Sequence, residues 1–313
     1  MTTAPRQTEL FPASTDARAD AQDAFERFDV AAARASLARA RDAGAAGADL
    51  DELERALAWL AARGVARGIP LDVLAELWIE LPTAVARGAL ARAGREFVDE
   101  AIARYGARGS DAERRFLDAR ERVHLGALLL ARENAERAHA LLHASLHAGH
   151  GHRADLWALL GDARVVRRDP EGANQAWVRA LVLDAQAVDL ARTRHAELAV
   201  LFARAASEHG ETVARERLLV EAWLAGVLEL TEEALDHPAV RATLSMDVDP
   251  AFERAVTDAA SARRFTRLLV RDLARPRGAS VDLDARDAME LLDPELCRRY
   301  AAELRRRAGG SHA

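Results

Sequence analysis

The stretch from residue 154 to residue 184, ADLWALLGDARVVRRDPEGANQAWVRALVLD, decides the fold of this chain. Its apolar residues recur at the spacing of a helix, and Trp157 lies one turn before Leu160 on the same face. Asp169 and Pro170 interrupt the pattern in the middle. The stretch therefore predicts two helices, over 154–168 and 171–184, that fold against each other as a hairpin.

A segment 35 residues earlier carries the same pattern. Leu125 and Gly126 begin it, as Leu160 and Gly161 begin the later one. The residues that then match at equal spacings are Ala138 and Ala173, Leu142 and Trp177, and Ser145 and Ala180. A glycine and a small residue at these positions let two helices cross closely, and the larger side chain fills the space beyond the crossing. The sequence thus predicts two adjacent hairpins built to one plan.

This plan resembles the tetratricopeptide repeat, a family of stacked helix hairpins. The residues that carry the resemblance are Trp157, Leu160, Gly161, Ala173, Trp177 and Ala180. The departures are Arg164 in place of an aromatic residue, Ala185 in place of the closing proline, and Arg122 in place of the tryptophan of the preceding copy. The pair at 188–230 does not fit, because His195 falls where the glycine should be.

The resemblance implies an all-α solenoid whose concave surface is lined by the first helix of each hairpin, a surface that binds proteins or peptides. In the family's geometry, the groove residues would be Asp155, Ala158, Asp162, Val165 and Val166 in one hairpin and Val123, Ala127, Leu130 and Ala131 in the preceding one. Such a surface would suit a partner with apolar and basic side chains. Alternatively, Asp155 and Asp162 are ordinary solvated helix positions.

The composition favours helices and excludes several classes of enzyme. Alanine, leucine and arginine dominate the 313 residues, which gives high helix propensity. Lysine is absent, so the phosphate-loop lysine, the pyridoxal Schiff base and the kinase lysine are all excluded. One cysteine, Cys297, excludes an internal disulfide. Because no run of about 18 apolar residues occurs and the start lacks a basic-then-apolar pattern, we expect no membrane partner and a cytoplasmic protein. We also expect the protein to be bacterial.

Changes of pattern divide the chain into five regions. They are a flexible leader (1–15), an N-terminal helical region (16–108), the repeats (109–237), a region of short helices (238–308) and a loose tail (309–313). Ser110 starts a capping-box pattern that predicts one helix as far as Arg132. Other helices are expected over 188–208 and 211–230, and short ones near 250–260, 261–275, 284–292 and 294–307.

A cluster of histidines offers one alternative function, metal binding or metal sensing. Its members are His139, His143, His147, His150 and His152. Histidines four positions apart lie on one face of a helix and could share a zinc, nickel or copper ion. No cysteine and no HExxH motif accompanies them. The simpler interpretation is a histidine-rich exposed helix and turn.

The arginines of the C-terminal region offer a second alternative, nucleic-acid binding. They are Arg263, Arg264, Arg267, Arg271, Arg275 and Arg277, with Phe265 among them, and Arg298, Arg299, Arg305, Arg306 and Arg307. The chain as a whole has a formal charge of −6, and no nucleic-acid-reading module is visible. Arginines paired with acids on solvated helix faces are the more common arrangement, so we do not expect nucleic acid as the main partner.

Two further patterns are weak. Asp282, Asp284, Asp287 and Glu290 have the spacing of a calcium loop but lack its central glycine, so we assign them to helix capping and charge–dipole effects. The leader segment QTELFP, with Leu10 and Phe11, is similar to peptides that dock on the bacterial sliding clamp. The main interpretation is a non-catalytic adaptor or scaffold, with no catalytic residues and no cofactor, that binds a protein or peptide partner.

Overall fold

The computed structural model describes residues 13–26, 29–62, 71–80, 116–117, 120–245, 258–275 and 282–309. In these ranges the protein is all-α, and the β-type pairing is limited to one isolated bridge between Phe116 and His124. The chain divides into two units, Met1–Asn134 and Ala135–Ala313, each with its own packing. This division falls inside the region 109–237 that the sequence predicts as repeats.

The first unit contains five described helices. They are α1 (Ala13–Glu26), α2 (Val30–Asp42), α3 (Ala48–Ala62), α4 (Leu71–Glu80) and α5 (Leu125–Ala131). Helices α1 and α2 pack as a pair, and α3 packs on α2. Apolar residues at helical spacing are buried in these helices: Phe25, Ala33, Leu37 and Ala40 in the pair, and Leu50, Leu53, Leu57 and Leu60 in α3. Helix α1 begins at Ala13, three residues before the predicted start of the helical region at residue 16, and residues 1–12, including QTELFP, lie outside the described residues.

The single helix predicted from Ser110 to Arg132 is wrong in its first part, since only residues 125–131 are helical among its described residues. Residues 116–117 and 120–124 are not helical, and the backbone N–H of Leu117 donates to the carbonyl oxygen of Val123 at 2.8 Å. Glu121 adopts the left-handed region, with φ of 55°, which interrupts a right-handed helix. Helix α5 starts only at Leu125, where Nδ1 of the buried His124 accepts from the N–H of Gly126 at 3.0 Å. Ser110 itself lies outside the described residues.

The second unit contains ten described helices. They are α6 (Ala135–Ser145), α7 (Ala154–Val166), α8 (Pro170–Asp184), α9 (Ala196–His209), α10 (Glu211–Leu224), α11 (Glu232–Leu235), α12 (Pro238–Ser245), α13 (Asp258–Leu273), α14 (Leu283–Leu292) and α15 (Pro294–Gly309). None of the helices in the described ranges is long and apolar enough to cross a membrane.

Helices α7 and α8 form the hairpin that residues 154–184 predict. Asp169 caps α8 by accepting from the N–H of Gly172 at 3.0 Å, and Pro170 occupies the first turn. Gly161 is the point of close approach, since a Cβ there would lie 2.5 Å from Cδ1 of the fully buried Trp177. Helix α6 packs on α7.

The packing changes after α8, at the segment where His195 departs from the repeat pattern. Residues 185–195 form two short 3₁₀ turns and a loop before α9, so the helix predicted from residue 188 starts only at Ala196. Helix α8 is then covered by α10, α11 and α12. The side chain of Asn174 pairs with the backbone of Glu229, donating to its oxygen and accepting from its N–H, both at 2.8 Å. The packing of the helices after α8 therefore does not establish a regular solenoid of stacked hairpins.

Helices α10, α13, α14 and α15 share a separate hydrophobic core at the C-terminal end. Its buried members are Val220, Trp223, Phe265, Leu269, Met289, Leu296 and Tyr300. The helix expected near 261–275 is described from Asp258 to Leu273, and most of the helix expected near 250–260 lies outside the described residues. Helices α14 and α15 lie close to their predicted positions, and Asp293 separates them by accepting from the N–H of Leu296 at 2.9 Å.

Candidate functional site

The predicted groove residues fall into the two separate units. Val123, Ala127, Leu130 and Ala131 belong to the first unit, where Val123 and Leu130 are buried and the two alanines are half-buried. The remaining five lie on α7 in the second unit. We therefore consider the α7 residues by themselves as part of a candidate surface.

On α7, the predicted groove residues differ sharply in exposure. Ala158 is buried and Val165 is half-buried, whereas Val166 at the end of the helix is 45% exposed. Asp155 is half-buried and holds a two-point ion pair with Arg153, with Nε–Oδ1 of 3.0 Å and Nη2–Oδ2 of 2.6 Å. The carboxylate of Asp155 is thus already paired with Arg153, two positions earlier in the chain.

Asp162 is an interior carboxyl that joins α7 to the loop before α9. It is 5% exposed, and its Oδ1 accepts from Oγ1 of Thr193 and from the backbone N–H of Arg194, both at 2.9 Å. Burial raises the pKa of Asp162 to about 7, and the two hydrogen bonds act in the opposite direction by favouring the carboxylate. The structure therefore places this side chain in a contact between elements rather than on a solvated groove face.

Val200 on α9 is an exposed apolar residue that the sequence reasoning missed. It is 69% exposed, and it stands apart from the buried stripe of Leu198, Leu201 and Ala205. A helical wheel of α9 could have found it, because Val200 is two positions from Leu198 and so points away from that stripe. Phe202, half-buried nearby in the chain, lies under the guanidinium of Arg215 at 5.3 Å from its ring centroid. Val166 on α7 and Val200 on α9 thus both expose apolar surface to solvent.

The histidine cluster forms a stack along α6 and the turn after it. The ring centroids of His139 and His143 are 5.8 Å apart, and those of His143 and His147 are 4.1 Å apart. His147 bonds through Nδ1 to the backbone oxygen of His143 at 2.9 Å. His150 is half-buried in the π-type turn Leu146–His150, and His152 is exposed beyond it.

Electrostatics around this stack disfavour positive charge. Partial burial lowers the pKa of His139 and of His143, and the nearby guanidinium of Arg164 lowers both further. Among the residues that the structure describes, no group of three or more histidine, cysteine or acidic side chains is arranged to hold a metal ion. One pair of rings is stacked and the other is tilted, and the cluster does not point several nitrogens at one centre.

Several of the C-terminal arginines form ion pairs with acids. Arg263 donates from Nε to the buried Glu216 at 3.0 Å, and Arg275 lies 3.7 Å from Asp272. The other paired members are Arg299 with Glu221, and Arg306 and Arg307 with Glu303. The pairs of Arg263 and Arg299 join α13 and α15 to α10, whereas the others lie within one helix or at its end; all of them reduce the positive charge available to a phosphate backbone. Arg277 lies outside the described residues.

A cleft of about 390 Å³ opens among α9, α10, α13, α14 and α15. Phe265 and Leu296 are among its apolar lining, and an ion pair between Arg217 Nη1 and Asp293 Oδ2, 3.0 Å long, lies in its wall. The lining holds three acids, Glu208, Asp258 and Asp293, against one arginine and one histidine, so it is acidic on balance. Cys297 lies near this region on α15, and burial raises the pKa of its thiol, which keeps it protonated.

Comparison of the chain with protein-family models, with curated proteins and with solved structures found no match.

Proposed function

We propose that this chain is a non-catalytic cytoplasmic adaptor, built from hairpins that resemble tetratricopeptide repeats, which binds a protein partner through the exposed faces of α7 and α9. The observation that carries the proposal is the position of Val200 and Val166, 69% and 45% exposed, on the first helices of two successive pairs. In a hairpin repeat, first helices provide the binding surface.

The contacts of the acids change the chemistry expected of the partner. Asp162 is satisfied by the loop before α9, and Asp155 is paired with Arg153. Neither carboxylate is therefore available as the main recognition group for a basic side chain. We expect apolar side chains of the partner to supply most of the affinity at this surface, because buried apolar anchors dominate protein interfaces.

The test compares the proteins that cross-link to the full chain in cells of its native host. The double variant Val166→Glu/Val200→Glu introduces charge at both exposed apolar positions, and Ala242→Glu adds a charge at an exposed position of α12 as the matched control. Far-UV circular dichroism verifies that each variant is folded.

We expect a defined set of proteins to cross-link to the wild-type chain and to Ala242→Glu and to be lost with the double variant. Equal recovery of the same proteins with all three chains would overturn the proposed surface. Turnover of a substrate by the purified chain would overturn the non-catalytic assignment.

A further inference from the structure

We propose that the solvent face of α14 is a second docking surface, one that binds a basic amphipathic segment of another protein. Leu283 and Leu291 lie on this face and are 67% and 87% exposed; with Val200 they are the most exposed large apolar residues among those described in the second unit. The proposal is independent of the surface on α7 and α9.

The helix geometry gathers these leucines and three acids on one side. Leu283, Asp287 and Leu291 are spaced by four residues, so they form one row about 12 Å long. Asp284 and Glu290 flank this row on the same half of the helix, and both are exposed. Ala285 and Met289 occupy the opposite side and are buried against the bundle.

The acids of this face have no arginine partner in the described part of the chain, unlike Asp272 and Asp293 of the same bundle. Asp272 pairs with Arg286 at 3.1 Å, and Asp293 pairs with Arg217 at 3.0 Å. Within the described part of the chain, Asp284, Asp287 and Glu290 form no ion pair and no side-chain hydrogen bond. Arg286 lies one turn before Glu290 and would be its natural helical partner, yet it reaches across to Asp272. This leaves three unneutralised carboxylates around two exposed leucines.

Capping accounts for only part of this arrangement. Asp282 is the cap of α14, accepting from the N–H of Ala285 at 3.1 Å, and Asp284 in the first turn is favoured by the helix dipole. That effect fades after the first turn, so it does not explain Asp287 and Glu290. It also does not explain leucines left in water, since each large apolar side chain gains free energy when it is buried.

The chemistry of the face defines its occupant. A helix or extended segment with leucine-like side chains would bury Leu283 and Leu291, and arginine or lysine side chains at the edges would meet the carboxylates of Asp287 and Glu290. An acidic or purely apolar segment would leave these charges unpaired or desolvated, which is unfavourable. A basic amphipathic segment would complement the charge of these acids, and we therefore assign it as the occupant of this face.

The experiment selects peptides without assuming their sequence. A phage-displayed library of random 16-residue peptides is panned on the full-length wild-type chain, and the affinities of enriched peptides are measured by fluorescence anisotropy. Three variants are compared: Leu283→Ser/Leu291→Ser, Asp287→Asn/Glu290→Gln, and the control Glu232→Gln/Glu233→Gln. The control neutralises two exposed acids on α11, so it changes the net charge by the same amount as the second variant.

We expect enriched peptides that combine basic and apolar residues, and affinities about tenfold or more weaker for the first two variants but unchanged for the control. Peptides without basic residues, or equal binding to all chains, would overturn the proposal. Sedimentation of the wild-type chain as a dimer that Leu291→Ser dissociates would also overturn it, because the occupant would then be a second copy.

Discussion

Glu221 on α10 and Arg299 on α15 are 78 positions apart in the chain and meet through two parallel hydrogen bonds, with Nη1–Oε1 of 3.0 Å and Nη2–Oε2 of 2.7 Å. Glu221 is 5% exposed, and Arg217 also lies close to it, 3.7 Å from Oε1. The contact ties the last helix to the centre of the second unit. It is one of several places where a buried acid is neutralised by an arginine distant in sequence.

Replacing Glu221 with alanine should destabilise the protein by about 2 kcal/mol, because the charge-assisted hydrogen bonds from Arg299 would be lost. Urea denaturation followed by circular dichroism measures the change in the free energy of unfolding. Glu295→Ala, at an exposed position of α15, is the control and should change this free energy by less than about 0.5 kcal/mol. Similar small effects for both variants would show that the Glu221 contact does not stabilise the bundle.

Gly161→Ala should destabilise the second unit by about 1–3 kcal/mol through overpacking, because the new methyl group would lie 2.5 Å from Cδ1 of Trp177. The double variant Gly161→Ala/Trp177→Phe tests the mechanism by a double-mutant cycle. If the clash is the cause, the smaller ring recovers part of the lost stability. Strictly additive effects would contradict the predicted close contact.

The carboxyl of Asp162 should make stability fall as the pH rises. Its folded pKa is raised to about 7 by burial, above an unfolded value of about 3.9, so the folded state holds the proton more tightly. This contribution is present in full below pH 4 and is lost as the pH rises through 7. We expect Asp162→Asn to gain stability relative to wild type between pH 5 and pH 8, measured by denaturation at each pH. Parallel stability curves for the two chains would contradict the shift.

The pKa of His139 should lie below its ordinary value and should rise when Arg167 is removed. Burial is the largest cause of the lowering, and the charge of Arg167 is the next. Because the folded pKa is depressed, its contribution to stability is present above the unfolded pKa of about 6.5 and is lost as the pH falls below it. NMR titration of the imidazole in wild type and in Arg167→Gln measures the pKa directly. An unchanged value in the variant would exclude this electrostatic effect.

Protein purified without a histidine tag should contain no stoichiometric zinc, nickel or copper. The rings of His139, His143 and His147 stack along α6 and its following turn rather than converge on one point. Elemental analysis of wild type and of His143→Ala should therefore give the same substoichiometric values. One metal ion per chain that disappears in His143→Ala would instead support the metal-sensing alternative.

Local features of the hairpin were predictable because they depend on residues close together in the chain. The turn at Asp169 and Pro170, and the buried faces of α2 and α3, follow the periodicity of the sequence. The helix predicted from Ser110 to Arg132 was not reliable, since periodicity does not detect a positive φ at Glu121 or a cap supplied by a buried His124. The late start of α9 at Ala196 has a similar origin in the turns that precede it.

The candidate surfaces also depend on contacts between residues that are far apart in the chain. The sequence contains the acids and apolar residues of α7 and α14, but it does not tell which acids are already neutralised. Asp162 accepts hydrogen bonds from Thr193 and Arg194, which lie some 30 positions later in the chain. Asp287, in contrast, forms no ion pair in the described part of the chain. These differences depend on which helix packs beside which.

The amino-acid sequence alone determined that the described chain is helical, where most helices lie and which face of each is apolar, because helix periodicity and capping act over a few residues. Only the tertiary structure decided that Asp162 is interior, that Glu221 meets Arg299, and that Leu283 and Leu291 face solvent beside unpaired acids. The reason is physical: burial and charge pairing are set by contacts between helices, and such contacts join residues that sequence spacing does not relate.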